Sequence, residues 1–294
     1  MEKEIEENYS RAGRIAAEVR EKSRNIATVG TPLLEIAEKI ESMIKFAGAE
    51  PAFPVNISIN DVAAHHTPTI GDKSIIGEND IVKLDIGAHV DGYVADTAVT
   101  INFNNDYEGL VKAAESALHE AVKLVKPEAK MSDISSAIEE TIKNTGYKPI
   151  SNLTGHGVAR WDLHTEPTVP NIAFKGDYRL REDQVIAIEP FATDGAGYVK
   201  DSEQVFIFSI SENKPVRNPD ARTIMNTFAN RNGLPFAERW SPLNSLFKTR
   251  MALRELRERG ALHDYHVLRE GKGGMVSQAE HTLIVRDKPV IITK

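Results

Sequence analysis

The sequence contains no cysteine, so disulfide frameworks, thiolate-bound zinc and cysteine nucleophiles are all excluded. Any metal held by this chain must be held through carboxylate oxygens and imidazole nitrogens. No apolar run approaches the roughly 20 residues that a membrane-spanning helix needs. Positive charge is not in excess either, with 36 Lys and Arg against 43 Asp and Glu and a formal net charge of −7. That balance gives no general reason to expect a membrane surface, DNA or other nucleic acid as partner. The N-terminus, MEKEIEENYSRAGRIAAEV, is acidic and helical in pattern and lacks the basic-then-apolar order of a signal peptide. A cytoplasmic location is the expectation. What is present is an ordinary globular composition, 41% apolar and 27% charged over 294 residues. This is enough for one large or two modest domains with a sizeable core.

The pattern opens with helices. Ile5, Tyr9, Ala12, Ile15, Ala16 and Val19 recur at helical spacing. Thr31-Pro32 reads as N-cap and first residue of a second helix, with Gly48 near its stop. Extended segments follow at Val55–Ile59 and in IVKLDIGAHVDGYVADTAVTI, which alternates about a turn at Val90-Asp91-Gly92. Further helices are predicted over 107–125, ended by Pro127, and over 132–145, capped by Ser132 and stopped by Gly146. Strands return at 151–158, 184–192 and 203–210.

Near residue 213 the character changes. Residues 213–274 carry twelve Lys and Arg against six Asp and Glu, a net of +6, which leaves −13 for the remainder. Asn218-Pro219 and Ser241-Pro242 are each predicted to open a helix, and residues 265–285 a hairpin across Gly271-Lys272-Gly273-Gly274. A basic, helix-rich block inside an acidic α/β chain reads as an insertion. A faint repeat also runs through the chain. GENDIVKLDIG (77–87) aligns with REDQVIAIEPF (181–191) and sets Asp85 opposite Glu189, which points to a duplicated α+β half-domain with a site at the seam.

Asp85 and Asp96 interrupt apolar strand patterns, where an unpaired carboxylate is costly to bury. With an even-numbered hairpin loop the two share one face, either directly opposite or one diagonal step apart. Like charges that close need a cation between them, or one must be protonated. For an arbitrary pair, a solvated strand face is the commoner reading. Glu189 ends the strand VIAIE before Pro190, and Glu280 opens EHTLIV. His156 lies in Thr154-Gly155-His156-Gly157, where glycines admit close backbone approach, although a histidine between glycines is more often an ordinary loop residue. Four carboxylates and one imidazole would offset two divalent cations and favour hard or borderline metals such as Mn, Fe or Co.

The segments KLDIGAHVDGYVADTA, NLTGHGV, IEPFAT and SQAEHT resemble, in order, the motifs of methionine aminopeptidases and the wider pita-bread metalloproteases. The resemblance covers nearly the whole chain. It implies an α+β fold with a pseudo-symmetric antiparallel sheet flanked by helices. It also places Asp85, Asp96, His156, Glu189 and Glu280 on the family's five metal-ligand positions, for two ions of Co, Mn, Fe or Zn. AFPVNISINDVAAHHTP resembles the type 2 form, whose active-site histidine falls here on His65, and LHTEPTVPN resembles the segment carrying a second, His164. His66 stands where an aromatic residue is common. An insertion between IEPFAT and SQAEHT is the type 2 feature, a winged-helix-like helical subdomain. The implied domains are residues 1–212 with 273–294 (catalytic) and 213–272 (inserted).

What the resemblance implies mechanistically is removal of the initiator methionine from nascent chains and methionyl peptides, with preference for a small second residue. Asp85 and Glu280 become the bridging ligands, Glu189 the general base, and His65 and His164 partners of the carbonyl oxygen or leaving nitrogen. Phe53 is placed in the pocket for the methionine side chain, with a core aromatic as the other reading of the same residue. Two alternatives stand beside this: an X-Pro dipeptidase or aminopeptidase P of the same fold, and a non-catalytic relative that binds nucleic acid or protein through the basic block. The block also admits ribosome contact, although such a helical surface is more often simply solvated. His119 is expected on a charged helix face, His281 in packing behind Glu280, and His89, His263 and His266 carry no motif.

Overall fold

The computed structural model describes residues 1–294. Two helices, α1 (Lys3–Ser23) and α2 (Leu33–Phe46), precede short strands β1 (Glu50–Pro51), β2 (Asn56–Ile59) and β3 (Val62–Ala64) and the long hairpin β4 (Ile81–Val90) and β5 (Tyr93–Asn102). Every second residue of β4 points to the same side. Leu84 and Ile86 are fully buried against Ile36, Ile40 and Ile44 of α2, while Asp85 and Gly87 face the other way. Each such aliphatic side chain contributes roughly 1.5–3 kcal/mol by leaving water. The hairpin turns on Asp91 and Gly92, both at positive φ (50° and 82°), as a two-residue turn matched to strand twist requires. The second helix begins one residue later than predicted. Pro32 is extended (φ −63°, ψ 134°) and is itself the N-cap, while the Thr31 hydroxyl pairs with that of Thr28 at 2.8 Å.

The same order then repeats. Helices α3 (Glu108–Leu124) and α4 (Met131–Asn144) lead into β6 (Lys148–Pro149), β7 (Thr154–Ala159), β8 (Asp162–Pro170), β9 (Val185–Ile188), β10 (Phe191–Thr193) and β11 (Val199–Ile210). Ser132 is not the cap of α4. Lys130 holds that position, and Ser132 lies inside the helix with its carbonyl accepting from the Ser136 hydroxyl at 2.8 Å. The register makes the repeat quantitative. Asn56 pairs with Asp85 between β2 and β4, and His156 pairs with Ala187 between β7 and β9. Counted on by two residues, that second register brings Thr154 level with Glu189, which follows β9, as Asn56 stands opposite Asp85. Each helix pair covers its own core of 18 to 20 buried residues.

Residues after β11 form α5 (Pro219–Phe228), β12 (Phe236–Ala237) and α6 (Leu246–Glu258), around a smaller core that includes Ile224, Phe228, Phe236, Leu253 and Leu256. Asn218 caps α5 as predicted, accepting from the Asp220 amide at 2.9 Å. Ser241-Pro242 opens no helix. Ser245 caps α6 instead, and the Ser241 hydroxyl is engaged by Thr249 at 2.9 Å.

The chain closes with β13 (Leu262–Glu270), β14 (Val276–Gln278), β15 (His281–Ile284) and β16 (Val290–Ile291). The hairpin predicted over 265–285 does not form. β13 pairs with β11 and β3, whereas β14 joins β10 and β15 joins β9. The glycine run is the corner between sheets, fastened by the Glu270 carboxylate, which accepts from the amides of Lys272 (2.7 Å) and Gly274 (3.0 Å). No helix is long and apolar enough to cross a membrane.

Candidate active site

The face of the strands turned away from the helices lines a cavity of about 310 Å³, and none of its lining residues comes from a helix. Its floor is acidic. Asp85 lies opposite Ala98, and Asp96 opposite Gly87, so the aspartates are diagonal neighbours on one face. β7 brings His156, the end of β9 brings Glu189, and the link between β14 and β15 brings Glu280 beneath them. His156 Nε2 lies 3.7 Å from Asp96 Oδ2 and 3.8 Å from Glu189 Oε1. Ligand atoms of Asp96, His156 and Glu280 all fall within 4.8 Å of one another.

Strand pairing holds this cluster with hydroxyl fasteners. The Asp96 amide donates to Thr282 Oγ1, and that hydroxyl donates back to the Asp96 carbonyl, each at 2.8 Å. Thr97 Oγ1 donates to the Glu280 carbonyl at 2.9 Å. Gln278 Nε2 donates to Glu189 Oε2 at 3.2 Å, a contact that a hairpin over 265–285 would not bring about. His281 alternates away from the site, its Nδ1 2.9 Å from Thr293 Oγ1.

The electrostatics call for cations. Burial raises the Asp85 carboxyl to about 6. Burial, reinforced by the neighbouring carboxylates, holds Asp96, Glu189 and Glu280 well above the usual carboxylate range. The imidazole among them is no counter-charge, since burial pushes His156 down to about 4. Asp85 Oδ1, Asp96 Oδ1 and both Glu280 oxygens are buried without a hydrogen-bond partner. Orphaned oxygens of several carboxylates around a neutral imidazole fit divalent metal binding, which would satisfy both their charge and their lone pairs.

His65 and His164 stand in the cavity wall. His65 sits at the end of β3 with φ +62°, a conformation uncommon outside glycine. This turns it to the cavity while His66 turns away, with its Nδ1 2.7 Å from the Ile57 carbonyl. Burial lowers His65 to about 4. His164 keeps an exposed side on β8, but desolvation of its ring, added to by the imidazoles of His156, His65 and His263, lowers it below its ordinary value. The His164 ring meets that of His156 edge-on at 4.6 Å. Both are therefore neutral at pH 7 and can donate or accept.

Phe53 lines the same cavity and rests on Gly87, where a Cβ would collide with its ring. Phe53 is 5% exposed and belongs to a core cluster, so the core reading holds for a residue that also stands in the cavity wall. Tyr265, which the sequence does not single out, and His263, which carries no motif, also line the cavity from β13. Tyr265 meets His65 edge-on at 5.6 Å and His263 at 4.8 Å. Period-two spacing would have placed both on one strand face. His119 is exposed on α3.

The sequence pattern of metallopeptidase family M24 matches residues 7–218. The methionine aminopeptidase of Methanocaldococcus jannaschii is 44% identical over 294 residues, covering 100% of this chain and 99% of its own. Among solved structures, that of a thermophilic Arx1 superposes with a TM-score of 0.88 at 17% identity, over 99% of this chain and 91% of that one. The methionine aminopeptidase of Thermotoga maritima gives 0.75 at 22% identity, over 100% and 98%. The chain belongs to metallopeptidase family M24, and its fold is the pita-bread fold. Within that family it is an enzyme, a methionine aminopeptidase. Its substrates are peptides with a free N-terminus, and divalent metal is its cofactor.

Proposed function

We propose that the chain is a type 2 methionine aminopeptidase that removes the initiator methionine from nascent proteins, with two divalent cations held by Asp85, Asp96, His156, Glu189 and Glu280. The observation that carries this reading is the set of orphaned carboxylate oxygens at the floor of a cavity whose wall holds two neutral histidines. The type 2 assignment is supported by His65 and His164 and by the block between β11 and β14, which we take as an inserted subdomain over 213–272. That block has its own core, and α6 turns Lys248, Arg250, Arg254 and Phe247 to solvent. We read this surface as the side that meets the ribosome in the cytoplasm.

Bound cations would supply Lewis-acid polarisation of the scissile carbonyl and an activated water. The remaining chemistry is the chain's own. Glu189, steadied by Gln278, accepts the proton of the attacking water. His164 and His65, neutral, donate hydrogen bonds to the developing oxyanion and the leaving nitrogen, in the geometry that favours the transition state over the ground state. Phe53 contacts the methionine side chain. The cavity of about 310 Å³ suits a methionine side chain followed by a small second residue.

The test uses chelated protein re-supplied with single metals and assayed on Met-Ala-X and Ala-Pro-X peptides, with bound metal counted by mass spectrometry. Two ions per active chain and methionine release are expected. One ion at full activity would overturn the two-metal reading, and a chain equally active on peptides with a bulky second residue would overturn the size preference.

A further inference from the structure

We propose that Arg231 is a positioning residue that sets the width of the substrate side-chain pocket by tying two of its walls together. The inference rests on the reading of the cavity as the place where the N-terminal methionine side chain binds. After α5 a single tight turn carries the chain to Arg231, whose side chain points back to the catalytic sheet. Its Nη2 donates to the carbonyls of Pro51 (2.9 Å) and Ala52 (2.8 Å). Its Nε donates to the carbonyls of Pro235 (2.9 Å) and, at greater length, Leu234 (3.3 Å). Pro51 and Ala52 lead directly into Phe53, and Phe53 and Pro235 both line the cavity. One guanidinium thus joins the segment that ends in one lining residue to the segment that carries another.

The side chain is suited to this task and is itself held. A planar guanidinium offers five donors in a fixed fork, whereas a lysine ammonium is a single rotatable point. Arg231 lies over the Trp240 ring at 5.0 Å, and Trp240 Nε1 is anchored on Glu41 at 2.8 Å. On the far side, the Ala52 amide donates to the Gly87 carbonyl at 2.9 Å, and the Phe53 ring rests on Gly87, across the hairpin from Asp96. A displaced Ala52 carbonyl therefore moves the ring relative to the acidic floor. Arg231 bonds neither to the five floor residues nor to His65 or His164, so it acts on substrate fit and leaves the reacting groups in place.

The experiment uses the metal-loaded full chain. Arg231→Met keeps the side-chain length and removes every donor. It should raise KM for Met-Ala-X peptides about tenfold and reduce discrimination of methionine over leucine by about the same factor, with kcat within about threefold. Bound metal should be unchanged, and calorimetric affinity for free L-methionine should fall in step with KM. Arg231→Lys, which keeps the charge but not the fork, should show the same shift in smaller measure and decides the matter if the Met variant does not fold. Wild-type KM and discrimination in Arg231→Lys, or equal losses of kcat on all substrates, would overturn the proposal. Phe53→Ala is measured in parallel. If Phe53→Ala loses discrimination and the Arg231 variants keep it, only the tying role is wrong. If Phe53→Ala also keeps it, the pocket reading falls and takes this inference with it.

Discussion

Two sets of carboxylates lie in the interior of this molecule, and they differ in what surrounds them. Glu270, at the corner between β13 and β14, is 4% exposed. Burial alone would raise it, but the amides of Lys272, Gly274, Ala196 and Gly197 outweigh that and hold it below the usual range. Glu41 on α2 is intermediate. Burial still pushes it up despite Arg239, Trp240 and the Val55 amide. At the cavity floor, Asp96 and Glu280 are more densely enclosed and also have no donors for the oxygens named above, and they are pushed well up. A buried carboxylate does not by itself mark a working site. A buried carboxylate whose donors are missing does, because a fold that left such groups with nothing to bind would be destabilised by them.

The largest effect should come from breaking the set that lacks donors. Asp85→Ala or Glu280→Ala is expected to abolish methionine release and to lower bound metal, while circular dichroism stays that of the wild type. Full activity in either variant would sink the ligand assignment. The same comparison predicts that relieving the repulsion, not forming it, is the stabilising event, so metal-free Glu280→Ala should unfold no earlier than the metal-free wild type.

How much of this was legible follows from where the residues sit in the chain. Asp85 and Asp96 belong to one continuous hairpin with a two-residue turn, so spacing alone limits them to a shared face. His156 and Glu189 reach the floor from β7 and the end of β9, and Glu280 from the link between β14 and β15, and no spacing rule joins them. Motif resemblance singled them out where periodicity had little to say. The repeat between 77–87 and 181–191 is faint in residues yet visible in topology, because β4 pairs antiparallel with β2 as β9 pairs antiparallel with β7. What failed was long-range partnering. The segment 265–285 has a turn-rich centre and two strands, which locally reads as a hairpin, but β13 finds β11 and β14 finds β10. That error hid Tyr265 and Gln278 together.

A second way to sharpen the comparison is to remove a partner from the intermediate carboxylate. Glu41→Leu removes the carboxylate paired with buried Arg239 and leaves only Glu38 as a counter-charge nearby, and a largely stranded buried charge costs roughly 3–5 kcal/mol. Chemical denaturation should show that loss in the metal-free protein. A loss under about 1 kcal/mol, the range of a solvent-exposed pair, would show that the Arg239 side chain finds water in the mutant. Next in size are the wall histidines. His164→Ala and His65→Ala should each lower kcat by about 10²–10³, or roughly 2.7–4 kcal/mol, as loss of a hydrogen-bond donor to the transition state does. Metal content should stay near normal. Parallel loss of metal would make the histidine a ligand and not a donor to substrate.

The smallest effect tests the carboxylate that has all its donors. Replacing Glu270 by Gln removes the charge and keeps the shape, so the four amides lose a charged acceptor, at a cost of about 1–3 kcal/mol. The sign of its pH dependence is fixed by the direction of the shift. A carboxyl held below its unfolded value contributes stability that is fully present above the unfolded pKa, near 4.3 for glutamate, and is lost as pH falls through the lower folded value. The stability gap between wild type and Glu270→Gln, measured in urea on the metal-free chain, should therefore be constant from pH 8 to about 5.5 and close below about 4. The cavity carboxylates are shifted the other way, so their contribution moves in the opposite sense over the same range. Metal-free wild type and Glu270→Gln share that background, and it cancels in their difference. A gap that widens toward acid would mean that Glu270 is protonated in the folded protein, and the contrast between the two sets would fail at its best-satisfied member.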